Sequence, residues 1–288
     1  MPTWIATVFV NPDRHLRNGW WIAAFFLILA ILLLPTIIIS AQFKREVTIA
    51  DQALIIVAAT FAIQALRRKP IWEVTGQPDR RWLMQLIVGG GLGALLMALP
   101  ALVLVALGLV RFDLSGVAPP ALAKAALLMA GVALAEELLF RGVLFQRLID
   151  GLGVWPAQVL TGLLFVLTHL NNPGMEGATR IWAGCNIFMA SILFGLAFIR
   201  TRSLAMPIGI HFMANVMQGV VLGFGVSGEA EPGLATPRFL ADAPWITGGA
   251  FGLEASLPGL LTLLAIVAAV ACFRRPSTRF EPKARRAF

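Results

Sequence analysis

Two adjacent glutamates, Glu136 and Glu137, and one arginine, Arg141, lie within an apolar stretch of residues 121–144 that is long enough to span a bilayer. Placing one charged side chain at the centre of a membrane costs about 2.5–3.5 kcal/mol of free energy. Three such side chains close together therefore indicate a structural or functional role. Glu137 and Arg141 are four residues apart and share a helix face, whereas Glu136 is rotated by about 100°. Glu136 therefore has no counter-ion on its own helix and is a candidate for proton transfer. The alternative is a buried ion pair that only fixes helix packing.

Two of the three histidines, His169 and His211, also lie in apolar segments. Phe165 precedes His169 by four residues, and Asn215 follows His211 by four, so each pair occupies one helix face. A single buried histidine is more often a core residue whose ring nitrogens are hydrogen-bonded than a functional one. Two of them on separate segments, together with a carboxylate doublet on a third, favour a functional site.

These side chains suit hydrolysis of a peptide or ester bond inside a membrane. Glu136 would accept a proton from a water molecule that His169 holds. His211 and Asn215 would donate N–H groups to a developing oxyanion. A zinc ion bound by Glu136, His169 and His211 is an alternative with a ligand count typical of catalytic sites, although no HExxH motif is present. The residues alone leave both mechanisms open.

The composition indicates a polytopic membrane protein, because 58% of the 288 residues are hydrophobic, 13% are charged and the mean hydropathy is +0.82. The net charge of +8 does not indicate nucleic-acid binding, since the basic residues lie mostly in short loops and in the tail. The two cysteines form neither a disulfide framework nor a metal-site spacing.

Hydropathy predicts an all-α fold with three parts. Residues 1–19 form an interfacial segment, residues 20–273 a domain of eight transmembrane helices enclosing an intramembrane catalytic cavity, and residues 274–288 a basic cytoplasmic tail. Glycines 89–91 and 93 in the third span predict a close approach between helices. The predicted spans are residues 20–40, 49–66, 82–110, 121–144, 154–170, 182–199, 204–225 and 251–273.

The distribution of basic residues predicts cytoplasmic termini and a multi-pass protein of the inner (plasma) membrane. With eight spans, the loops and tail on the side of the termini carry 16 lysines and arginines, and the other loops carry 5. Lys124 and Arg141 lie within the fourth span, which accounts for all 23. We also expect the cavity to be filled with water and to open to the cytoplasm.

Three motifs in this order resemble those of the CPBP family, the CAAX-protease and bacteriocin-processing membrane proteins that are also called ABI or Rce1-like. The resemblance covers residues 121–225. It implies an intramembrane glutamic endopeptidase with an eight-helix core, although older naming calls the family metalloproteases. The motifs are Glu136-Glu137-x-x-x-Arg141, Phe165-x-x-x-His169 and His211-x-x-x-Asn215.

The resemblance implies that Glu136 and His169 activate the water and that His211 and Asn215 form the oxyanion hole. The residues that support the site are then Glu137, Arg141 and Phe165. No cofactor is expected, with zinc as the alternative, and the partners are the lipid bilayer and a membrane-associated peptide or protein substrate. Two other functions stay open: a non-catalytic immunity or partner-binding protein of this fold, and a proton-coupled transporter.

Overall fold

The structure, a computed structural model, describes residues 8–11 and 15–272. The predicted basic tail and most of the predicted interfacial segment lie outside these residues. A helix occurs at the position of each of the eight predicted spans. In chain order the elements are α1 (Asn18–Gln42), α2 (Ile49–Leu66), α3 (Trp72–Thr75), α4 (Arg80–Ala106), β1 (Val110–Leu114), α5 (Pro119–Glu137), α6 (Phe145–Leu152), α7 (Val154–His169), α8 (Gly177–Thr201), α9 (Ala205–Asn215), β2 (Ala235–Phe239), α10 (Pro244–Thr247) and α11 (Leu257–Cys272).

Four helices, α1, α2, α4 and α8, are long and apolar enough to cross a membrane, and α7, α9 and α11 are shorter apolar helices. Helix α1 exposes a row of large apolar side chains, including Leu27, Ile31 and Leu34, which a bilayer would cover. The chain is therefore a predominantly helical integral membrane protein. The full number of eight crossings stays a prediction.

Two helices of the motif region continue as π-helical turns directly after a motif residue. Leu138–Leu144 follows Glu137, and Val216–Val221 follows Asn215. Wide turns of this kind are rare and occur frequently at functional sites. Gly142 has a ψ of −121°, so the first of these segments also bends the chain before α6.

Close packing of α4 against α9 depends on glycines from both helices, and the sequence predicted the contribution of those in α4. A Cβ on Gly89 would lie 2.3 Å from the carbonyl oxygen of Met206, and one on Gly93 would lie 2.1 Å from that of Ile210. From the other side, a Cβ on Gly209 would lie 2.2 Å from the carbonyl oxygen of Leu86. Because His211 follows Ile210, this contact sets the depth and rotation of the imidazole.

We expect Gly93→Ala to lower both stability and activity, because the added methyl group must push α9 away from α4. Overpacking of this kind costs about 1–3 kcal/mol. Gly91→Ala is the matched control, since a Cβ there meets nothing within 4 Å. Thermal unfolding in detergent, measured beside peptide cleavage, tests this difference. Equal behaviour of the two variants would remove the glycine contact from the account.

Several element boundaries differ from the prediction. The helix of the third predicted span, α4, ends at Ala106, and the strand Val110–Leu114 then pairs antiparallel with Ala235–Phe239, which lies more than 120 residues later. The predicted eighth span began at residue 251, but its helix begins at Leu257 after a 3₁₀ turn, Leu253–Ala255. Residues 107–110 are apolar, as are residues 251–256 apart from Glu254 and Ser256, so hydropathy alone did not separate them from the neighbouring helices.

Candidate active site

The pair of Glu137 and Arg141 is buried, with both side chains fully inaccessible and Arg141 Nη1 3.2 Å from Glu137 Oε1. This contact confirms the pairing that the four-residue spacing predicted. The second nitrogen, Nη2, donates to Ser191 Oγ at 2.6 Å and to the Ser191 carbonyl at 3.2 Å. Ser191 lies on α8, so the arginine connects two helices.

Aromatic rings enclose the guanidinium of Arg141. Its Cζ lies 4.7 Å from the ring centre of Phe165 and 5.0 Å from that of Phe194. Aromatic faces stabilise a desolvated cation, so this enclosure offsets part of the cost of burial. The sequence analysis predicted that Phe165 supports the site, but it predicted no role for Phe194 or Ser191. Their contacts with Arg141 depend on how α8 packs against the motif helix, which the sequence does not give.

His211 binds the same carboxylate as Arg141, which the sequence did not predict. Its Nδ1 lies 3.0 Å from Glu137 Oε1, and a carboxylate oxygen only accepts, so Nδ1 carries the proton. The ring of Phe194 stacks on the imidazole at 4.9 Å with an interplanar angle of 9°. Glu137 therefore does more than neutralise Arg141, because it also fixes the orientation of His211 across α5 and α9.

Glu136 differs from its neighbour as predicted, because its side chain is 27% exposed and no arginine pairs with it in the described part of the chain. Its Oε2 lies 3.8 Å from His211 Nε2, a distance too long for a hydrogen bond. That oxygen has no hydrogen-bond partner among the described residues. The sequence analysis expected Glu136 and His169 to act on one water molecule, which stays a prediction, and the histidine within 4 Å of Glu136 is His211.

His169 lies at the end of α7, and its Nδ1 is 2.7 Å from the carbonyl oxygen of Phe165. Because a carbonyl only accepts, Nδ1 donates and Nε2 is the basic nitrogen of the neutral ring. The ring of Phe165 also packs against the imidazole at 4.7 Å. The i, i+4 spacing of the second motif thus sets both the tautomer and the orientation of His169.

One cavity, hereafter the central cavity, brings the four candidate catalytic residues together. Its volume is about 420 Å³, and its wall combines Glu136, His169, His211 and Asn215 with apolar side chains such as Leu139. A cavity of this size with a few convergent polar groups is typical of a substrate site. The lining also includes five polar residues outside the motifs, hereafter the outer rim: Gln52, Asn172, Ser227, Glu229 and Glu231. Four of these five residues lie in the loops that the sequence placed opposite the termini, and Gln52 lies at the start of α2.

Glu254 also lines the cavity, and the sequence gave no signal for it. Its Oε1 accepts hydrogen bonds from the backbone N–H of Ser227, from Ser227 Oγ at 3.0 Å and from Gln218 Nε2 at 3.2 Å. These donors hold the loop over the cavity. On the same loop, partial burial and the neighbouring Glu229 raise the pKa of Glu231 above its usual range.

The alternative zinc site requires Glu136, His169 and His211 to converge on one ion. No group of three histidine, cysteine, aspartate or glutamate side chains within the described ranges is placed to hold a metal. The residues of the zinc hypothesis therefore do not fit a metal site as they are arranged.

Comparison with known families supports the motif assignment. Residues 118–217 match the family described as type II CAAX prenyl endopeptidase Rce1-like. This confirms the resemblance that the three motifs carried, and the matched region contains each of the seven motif residues. No curated protein matches the chain.

Proposed function

We propose that this chain, whose residues 118–217 match the Rce1-like family of membrane endopeptidases, hydrolyses a peptide bond of a membrane-associated substrate by a metal-free glutamate mechanism. The observation that carries this proposal is the convergence of Glu136, His169, His211 and Asn215, from three separate helices, on one cavity. Hydrolysis needs a base, a held water and oxyanion donors, and this set supplies each of them.

In the first step, Glu136 takes a proton from a water molecule whose other hydrogen is bound by His169 Nε2. The water oxygen attacks the carbonyl carbon of the scissile bond, and the carbonyl oxygen becomes an oxyanion. The oxyanion accepts hydrogen bonds from His211 and Asn215. Collapse of this intermediate breaks the C–N bond, and Glu136 returns its proton to the departing amine.

His211 can serve this role only as an imidazolium. Its Nδ1–H is already committed to Glu137 at 3.0 Å, so a second donor must come from Nε2–H. Glu137 therefore acts as a positioning residue, because it holds the ring so that Nε2 points at Glu136 and at the reacting carbonyl. Arg141, Phe165 and Phe194 hold that carboxylate and ring in place.

We expect Asn215→Ala to fold and to lower kcat by about 10²–10³, the usual cost of one oxyanion donor. Asn186→Ala is a suitable control, because that amide also lines the cavity but donates to the carbonyl of Trp182 at 3.0 Å. Folded Asn186→Ala protein should have a kcat close to that of the unsubstituted protein. Single-turnover cleavage measures both, and unchanged kcat in Asn215→Ala would remove Asn215 from the mechanism.

The metal-free mechanism predicts that purified protein is active without a stoichiometric metal and after treatment with a chelator. Elemental analysis of active protein in detergent, followed by a cleavage assay with and without chelator, measures this. A stoichiometric metal, together with activity that chelation removes and zinc restores, would contradict the proposal.

A further inference from the structure

Glu254 is a carboxylate of the central cavity that the proposed mechanism does not use. It lies in the 3₁₀ turn Leu253–Ala255 directly before α11, and the side chains of its neighbours Leu253 and Ala255 are buried. A turn anchored in this way holds the carboxylate in one place. Its Oε1 accepts hydrogen bonds from two other segments, so Glu254 connects parts of the site that are distant in sequence.

The first of these segments is the loop after α9, at Ser227. The backbone N–H and the hydroxyl of Ser227 both donate to Glu254 Oε1, the hydroxyl at 3.0 Å. Ser227 has a φ of +51°, in the left-handed region that residues other than glycine rarely adopt. Such a conformation persists only where the surrounding structure holds it, and the two bonds to Glu254 supply that support.

Ser227 also binds the turn that follows His169. Its carbonyl oxygen accepts a hydrogen bond from Asn172 Nδ2 at 3.0 Å, and the backbone N–H of Asn172 donates to the His169 carbonyl at 3.1 Å. The next residue of the loop lies directly on this turn, since a Cβ on Gly228 would lie 2.0 Å from the carbonyl oxygen of Pro173. A displacement of Ser227 would therefore shift the end of α7, where His169 lies.

The second segment is the π-helical turn that follows Asn215. Gln218 is buried in this turn and donates through Nε2 to Glu254 Oε1 at 3.2 Å and to the carbonyl oxygen of Gly225 at 2.8 Å. These two bonds tie the turn to Glu254 and to the loop that carries Ser227. Because Gln218 is three residues from Asn215 on one helical segment, holding Gln218 restricts the movement of Asn215.

We propose that Glu254 is a positioning residue that sets the distance between His169 and Asn215. It acts on the first through Ser227 and on the second through Gln218. This inference rests on the proposed function, in which His169 holds the attacking water and Asn215 binds the oxyanion. Both groups act on one carbonyl, so their separation must be fixed, and a misplacement of about 1 Å can lower a rate by about 10²-fold. The role requires a hydrogen-bond acceptor at Glu254 rather than a negative charge.

A comparison of Glu254→Ala with Glu254→Gln tests the proposal. The alanine variant lacks the acceptor, so kcat should fall by about 10²-fold, whereas KM should change little because the apolar wall of the cavity is unchanged. The glutamine variant keeps an oxygen that accepts the same hydrogen bonds and should restore most of the kcat. Asp113→Ala is the control, since it removes a carboxylate from an exposed ion pair with Arg238 and should leave kcat unchanged.

Asn172→Ala removes the link from Ser227 to the turn after His169, and it provides a second variant if Glu254→Ala does not fold. Its kcat should also fall. Because both changes act through the same hydrogen bonds, the double variant should be no slower than Glu254→Ala alone. Unchanged kcat in Asn172→Ala, losses that multiply in the double variant, or a Glu254→Gln protein as slow as Glu254→Ala would each overturn the proposal.

Hydrogen exchange measured by mass spectrometry gives a readout that does not depend on turnover. Glu254→Ala should raise exchange in peptides covering residues 170–175 and 216–229 and leave α4 as it is in the unsubstituted protein. Unchanged exchange in both peptides would also overturn the proposal. An unsubstituted protein that cleaves no substrate contradicts the proposed function instead, and the exchange comparison still decides whether Glu254 holds the two segments.

Discussion

Glu136→Gln should reduce turnover by at least about 10²–10⁴-fold, the usual contribution of a general base, while the protein folds as before. The reason lies in its contacts, since Glu136 Oε2 has no hydrogen-bond partner among the described residues and the side chain is partly exposed. The amide keeps the shape of the carboxylate but cannot take a proton from water. Stability should therefore change by less than about 0.5 kcal/mol.

Two neighbouring glutamates serve as controls for this result. Glu229→Gln, on the outer rim, should keep most of the activity. Glu137→Gln removes a charge that Arg141 and His211 both contact, so it should lower stability as well as turnover. Thermal unfolding and single-turnover cleavage of the three variants separate the roles. If Glu136→Gln unfolds while Glu137→Gln is silent, the roles of the two glutamates are reversed.

Arg141→Ala should destabilise the protein by about 3–5 kcal/mol, because it leaves the fully buried carboxylate of Glu137 without its cation. The variant also loses the link from α5 to Ser191 and the packing between Phe165 and Phe194. Activity should fall with stability, since Glu137 then no longer holds His211 in a fixed position.

The double variant Glu137→Gln with Arg141→Met should regain stability relative to Arg141→Ala, because no uncompensated charge remains. It should not regain activity. Arg45→Ala is the control, because it removes a salt bridge at the surface, where the half-exposed Arg45 binds Asp51. Such surface salt bridges contribute about 0–1 kcal/mol to the free energy of unfolding. Thermal-shift measurements in detergent test the series. An Arg141→Ala protein as stable as Arg45→Ala would contradict the role of the buried pair.

Contacts within one helix could be predicted from the sequence, because helix geometry alone determines them. The spacing of Glu137 and Arg141 and that of Phe165 and His169 correspond to direct contacts in the structure. The glycines of the third span likewise indicated a close helix approach, although not that α9 is the partner.

Contacts between helices could not be predicted, because they depend on rotation and depth. The bond from His211 to Glu137, the stacking of Phe194 and the position of Glu254 all arise in this way.

The most direct test of the central claim is a comparison of new peptide termini. Purified parent protein and Glu136→Gln are each incubated with solubilised membranes from cells that lack the protein, and new N-termini are identified by mass spectrometry. Glutamate-dependent hydrolysis predicts a set of new termini that the parent protein produces and Glu136→Gln does not. Identical termini in the two samples would contradict glutamate-dependent peptide hydrolysis and would favour a non-catalytic role for this fold.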